Sequence, residues 1–149
     1  MKLKDVCELN VVSCPENLSV TAAARIMRQQ HTGDVIVVDD ADGELTPVGI
    51  LTDRDIVVTV LAEGADPDRT AVREVMARQL VIGEESEDLE VALERMQQHG
   101  VRRLPVVRSD GQLLGIVTLD DLIKVHAAQS ATLLQILTRE QEHENRVRR

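Results

Sequence analysis

Phenylalanine, tyrosine and tryptophan are absent from this 149-residue chain. Its core is therefore aliphatic, and any bound ring must lie between aliphatic side chains with no aromatic partner to stack on. The same absence leaves the protein nearly dark at 280 nm. Cysteine is scarce: Cys7 and Cys14 make neither a disulfide framework nor a zinc spacing. The four histidines, His31, His99, His126 and His143, include no pair at i, i+4, so no metal site is expected. Basic charge is also short, with 17 Lys and Arg against 26 Asp and Glu and a net charge of −9. That balance argues against nucleic acid or an anionic membrane as partner, since phosphate contacts need a basic face. No apolar run approaches the ~20 residues of a membrane span, and no signal peptide is recognised. A cytoplasmic location is the expectation. With no nucleophile–base pair, metal cluster or Walker-type loop, no enzyme activity is expected either.

What is present is an ordinary globular composition, 43% hydrophobic and 29% charged, in a chain long enough to bury about 70% of its unfolded surface. The chain also repeats itself. Asp5-Val6-Cys7 corresponds to Glu74-Val75-Met76, 69 positions on; at the same offset Val12 meets Val81, Ala23 meets Ala92, Met27 meets Met96, and Val37-Val38 meets Val106-Val107. Gly49-Ile50-Leu51-Thr52 meets Gly115-Ile116-Val117-Thr118 at an offset of 66. The three extra residues of the first repeat fall in the turn at 39–47, where insertions are cheap.

Each repeat predicts the same order of elements. A short strand (10–13, 79–82) precedes an amphipathic helix (19–30, 88–99). The helix carries Val20, Ala23, Ala24 and Met27, or Leu89, Ala92, Leu93 and Met96, at i, i+3, i+4, i+7. A buried strand (34–38, 104–107) turns at Asp42-Gly43 or Asp110-Gly111 into a return strand (47–51, 113–117). A second helix starts at Thr52 or Thr118. The fold class is α/β of the α+β type: two pseudo-symmetric β-α-β-β-α repeats, at 4–63 and 72–129, joined by a polar linker at 64–71. Residues 130–149 form a helical extension with an apolar stripe, ending in a polar, fraying tail from Glu140 onward.

Two segments carry the functional signal: Gly49-Ile50-Leu51-Thr52-Asp53-Arg54-Asp55 and Gly115-Ile116-Val117-Thr118-Leu119-Asp120-Asp121. Thr-x-x-Asp at a helix start is first a capping box. Its recurrence at the same point of both repeats points further. A carboxylate there can accept both hydrogen bonds of a ribose cis-diol, and the threonine hydroxyl can donate to a phosphate or ribose oxygen.

These motifs, with the openers Val6-Cys7 and Val75-Met76 and the strand Arg102-Arg103-Leu104-Pro105-Val106-Val107, resemble the cystathionine-β-synthase (CBS) domain. Two in tandem resemble a Bateman module, over about residues 4–129. The resemblance implies a stand-alone regulatory module sensing an adenine nucleotide or adenosyl compound (AMP, ADP, ATP, NAD or S-adenosylmethionine) in clefts between the repeats, for a regulated protein that the sequence does not name. Thr52, Asp55, Thr118 and Asp121 are its implied ribose and phosphate residues. Arg54, Arg102 and Arg103 are candidate phosphate partners. By position, Val12, Val35 and Ile50 would frame one base, with Val81, Leu104 and Ile116 framing the other. The first repeat has Gly33-Asp34 where the second has Arg102-Arg103, so the clefts are expected to be unequal. The alternative is a ligand-free structural or interaction module of the same fold. A homodimer is expected, because the helix over Ile56-Val57-Val58-Thr59-Val60-Leu61 is apolar nearly all round. The last helix adds Leu119, Leu122, Ile123, Val125, Leu133, Leu134, Ile136 and Leu137 to that apolar surface.

Overall fold

A computed structural model describes residues 1–147 of the chain. It has two three-stranded sheets with helices between the strands, the expected α+β arrangement. After a short α1 (Leu3–Val6), the first repeat runs β1 (Ser13–Pro15), α2 (Val20–Gln30), β2 (Asp34–Asp39) and β3 (Thr46–Thr52). β1 is parallel and β3 antiparallel to β2. A helical run follows, α3 (Asp53–Asp55) continuing as a π-helix (Ile56–Leu61). The second repeat runs β4 (Gly83–Glu84), α4 (Leu89–His99), β5 (Arg103–Val107) and β6 (Leu113–Thr118), then α5 (Leu119–Val147). Its sheet has the same order, β4-β5-β6.

The chain divides into two compact units, Met1–Val117 and a second that begins at Thr118. The linker is therefore not a boundary between compact units, because the two repeats exchange their opening segments. Leu3 and Lys4 donate to Glu87 O and Glu85 O of the second repeat (3.0 and 3.1 Å). In the same way Val72 and Arg73 donate to Leu18 O and Glu16 O of the first (2.8 and 2.9 Å). The core of the first repeat accordingly holds Val72 and Met76 beside Cys14, Ala23, Met27, Val35, Val37 and Leu51.

The exchange explains the paired glycines. Ala77 exchanges backbone hydrogen bonds with Ile50, and Glu8 does the same with Ile116 (2.9–3.1 Å). A Cβ on Gly49 would lie 2.7 Å from Ala77 O, and one on Gly115 the same distance from Glu8 O. Only a residue without a side chain admits a backbone that close.

It also moves the first strands. They begin at Ser13 and Gly83 rather than near residues 10 and 79. Glu8 is bound to the second sheet while Ser13 joins the first, and Ala77 is bound to the first while Gly83 joins the second, so the residues between cross from sheet to sheet instead of lying within one.

The amphipathic helices α2 and α4 start where expected, after Ser19 and Asp88. Ser19 Oγ accepts from Ala22 N–H at 3.1 Å, a side-chain N-cap. Val20, Ala23 and Met27 are buried, as are Ala92 and Met96, but Leu93 is 39% exposed and does not join the buried face. The second helix of the first repeat widens to π-type, with Ala62 N–H bound to Val57 O at 2.9 Å. Its run of β-branched residues crowds an ordinary helical turn.

Within the second unit, α5 stays helical through Val147 rather than fraying at Glu140. Glu142 and Arg146 are spaced i, i+4 in the favourable order, and Arg146 opposes the negative end of the helix dipole. The tail's Arg148 and Arg149 lie outside the described residues. α5 buries none of its residues, and Leu133, Leu134, Ile136 and Leu137 are each more than half exposed. Among the described residues no helix is long and apolar enough to cross a membrane.

Candidate functional site

Thr52 is the last residue of β3 and the N-cap of α3. Its Oγ1 accepts from Asp55 N–H (3.1 Å), and Asp55 Oδ2 accepts from Thr52 N–H (3.0 Å). The capping box is thus closed on both sides. It fixes a half-buried carboxylate beside the end of β3 and commits one of its two oxygens. In the second unit Thr118 Oγ1 accepts from Asp121 N–H at 3.2 Å, the matching cap.

Thr52 faces a cleft of about 260 Å³ that draws on both repeats. The first repeat supplies Ile50 and Thr52; the second supplies Ala77, Gln79, Val81, Val101, Arg102 and Arg103. The crossing of residues 77–82 between the sheets brings these together, laying Gln79 and Val81 beside the strand that ends at Thr52. The walls are aliphatic, and the polar groups are one hydroxyl, one carboxamide and two guanidinium groups.

Arg103, the first residue of β5, is ion-paired with Asp34, the first residue of β2. Asp34 Oδ1 also accepts from Thr32 Oγ1 (3.0 Å). Asp34 of the first repeat therefore carries a cation supplied by the second.

The structure thus joins Ile50, Thr52, Val81, Arg102 and Arg103 in one cleft, with Asp55 attached through the capping box. Ile50 and Val81, expected to frame different bases, line the same cleft. Val35 and Leu104 are core residues, 1% and 0% exposed. Val35 opposes Leu51 in the register and turns inward with it. Ile116 is tied to Glu8 by its backbone. Val12 lines a separate groove of about 490 Å³ with Asn10, Val11, Ser13, Ile26 and Gln30. Arg54 is exposed, with its N–H donating to Asp53 Oδ1 at 2.8 Å. Ala77, Gln79 and Val101 escaped the sequence reading. The glycines were the available signal: each repeat needs one where a foreign backbone passes.

Neither thiol belongs to the cleft. Burial pushes Cys14 up to about 11. Cys7 is also raised, chiefly by burial and secondarily by nearby Glu8, Asp5 and Glu85. Among the described residues no group of three or more His, Cys, Asp or Glu could hold a metal ion.

The CBS domain profile matches residues 3–62 and 72–128. The chain belongs to the CBS domain family. The CBS domain-containing protein YhcV of Bacillus subtilis is 41% identical over 120 residues, covering 80% of this chain and 81% of YhcV. The crystal structure of Hypoxic Response Protein I with two coordinated zinc ions superposes with a TM-score of 0.71 at 33% identity, covering 83% of this chain and 98% of that one. The CBS domain protein PAE2072 of Pyrobaculum aerophilum, solved in complex with AMP, superposes with a TM-score of 0.72 at 22% identity, covering 82% and 90%. That last likeness is one of fold.

Proposed function

We propose that this CBS pair is a non-catalytic regulatory module whose inter-repeat cleft takes an adenosyl ligand: AMP, ADP, ATP, NAD or S-adenosylmethionine. The observation that carries the reading is the convergence of the Thr52–Asp55 corner of one repeat with Val81, Arg102 and Arg103 of the other. Ile50, Val81 and Val101 offer aliphatic faces to a base, which suits a chain with no aromatic residue. The Gln79 carboxamide supplies a donor and an acceptor for the base edge. Asp55 keeps Oδ1 for a ribose hydroxyl while Oδ2 serves the cap. Arg102 and Arg103 stand where a phosphate would follow, and forked guanidinium groups suit it. PAE2072 supports the reading as an example of this fold holding AMP. The matching corner at Thr118 and Asp121 is proposed to serve a second cleft.

The closed capping box favours one other reading, an empty module in which Thr52 and Asp55 serve the fold alone. The two separate in a spectrum of freshly purified protein. With no tryptophan or tyrosine, an absorbance peak near 260 nm belongs to a ligand, and mass spectrometry of the extract names it. No peak, and no heat on titration with any of the five ligands, leaves the empty module. We also propose a homodimer, supported by the exposed Val57, Val58 and Leu61 of the π-helix. Light scattering should then give about 33 kDa, twice the 16.5 kDa chain, and 16.5 kDa at micromolar concentration rejects it.

A further inference from the structure

Asp34 and Arg103 sit 69 positions apart, at equivalent places in the two repeats, each the first residue of a middle strand. A residue close to the pseudo-symmetry axis meets its own counterpart, so identical charges there would repel. This chain has an acid in one repeat and a base in the other, and they pair.

The pair is lopsided. The Asp34 side chain is 14% exposed and Arg103 42%. Asp34 Oδ2 is buried and faces Arg103 Nε. Arg103 also lines the cleft. The guanidinium fork also fits a phosphate, so the two anions draw on one cation.

We infer that Arg103 is a shared counter-ion: Asp34 competes with the ligand's phosphate for it, and Asp34 thereby sets how strongly the cleft distinguishes AMP from adenosine. This deepens the adenosyl reading above and rests on it. Adenosine leaves the ion pair intact. AMP draws the guanidinium toward its phosphate, and the half-buried Asp34 carboxylate loses its counter-charge, with the Thr32 hydroxyl hydrogen-bonded to its other oxygen. Part of the phosphate's attraction is spent on that separation, so the wild-type protein prefers AMP only modestly. The same exchange loosens a tie between β2 and β5, so phosphorylated and unphosphorylated ligands act differently on the contact between repeats.

The test is calorimetric titration of adenosine and AMP into the full chain, wild type, Asp34→Asn and Arg103→Gln. Asparagine still accepts the Thr32 hydroxyl but releases Arg103. The AMP-over-adenosine affinity ratio should rise about tenfold in Asp34→Asn, the worth of a charge-assisted hydrogen bond. In Arg103→Gln it should fall below the wild-type ratio. Should Asp34→Asn fail to fold, Asp34→Ser removes the same charge and is read the same way. If both ligands bind the wild type but neutralising Asp34 leaves the ratio unchanged, the shared counter-ion is wrong and the cleft assignment survives. If Arg103→Gln leaves the ratio unchanged, Arg103 is not the phosphate's partner. If neither ligand binds the wild type, the cleft assignment itself fails and takes this inference with it.

Discussion

In the first repeat, Leu18 and Ile26 pack against an aliphatic core. At the equivalent places of the second repeat stand Glu87 and Arg95, joined by a two-pronged ion pair, with Arg95 Nη1 also donating to Ile82 O at 2.9 Å. One backbone plan thus accepts two chemistries at the same spot. The same split runs along the grooves beside them. Ile26 and Gln30 line the groove of the first repeat, and Arg95 and His99 that of the second, which measures about 710 Å³. The lesson is that the duplication preserved what backbone contact demands and left side-chain charge free to diverge. Glycines 49 and 115, the capping threonines and the helix starts are shared; charge near the clefts is not.

The shared part should be the harder to break. Gly49→Val and Gly115→Val each drive a side chain into the backbone of the exchanged opening segment. Each should cost at least about 2–3 kcal/mol in urea denaturation. Similar losses in both repeats are the expected sign of symmetry, and a neutral result in either would show that its opener can move aside.

The divergent part should yield to a swap. Glu87→Leu alone leaves a half-buried guanidinium without its partner and should cost about 1–3 kcal/mol. Adding Arg95→Ile, which copies the first repeat, should bring stability back to within about 1 kcal/mol of wild type. A double variant no better than the sum of its single variants would mean that the second repeat has come to depend on its ion pair.

The smallest effect concerns the cysteines. Burial holds Cys14 as a thiol up to about pH 11, so at pH 8 it should resist a thiol reagent in the folded protein, while the less buried Cys7 reacts first. Mass spectrometry of Cys7→Ser and Cys14→Ser after brief labelling reads this directly; equal rates would contradict the burial.

Much of this was legible in the sequence because it is local. The Thr-x-x-Asp caps, the helix starts and the antiparallel pairing of β2 with β3 depend on neighbours a few residues apart. The exchange of opening segments was not legible. Repeats of the same pattern can be paired within or between themselves, and the hydrophobic pattern of Val72 and Met76 is the same either way. The choice of Val35 and Leu104 as candidates, both of them buried, follows from that. With each base assigned to one repeat, a middle-strand residue was a natural candidate wall, whereas the cleft beside Ile50 draws on Val81 and Val101 of the other repeat. The Asp34–Arg103 pair was half visible, as an asymmetry of charge at equivalent positions; only the fold shows that the two positions meet.

The central claim is that one cleft, built from both repeats, holds the ligand, and it is tested most directly by variants on its two sides. Asp55→Asn keeps an oxygen to accept the Thr52 N–H and so spares the cap; Val81→Gln alters the opposite wall. Equilibrium dialysis of AMP, read at 260 nm against a protein without tryptophan or tyrosine, measures both. The account predicts that each variant, though from a different repeat, weakens the same binding event, Asp55→Asn by roughly 10-fold or more, with urea midpoints near wild type. AMP binding untouched by both substitutions would contradict it, leaving Thr52 and Asp55 as a helix cap and nothing more.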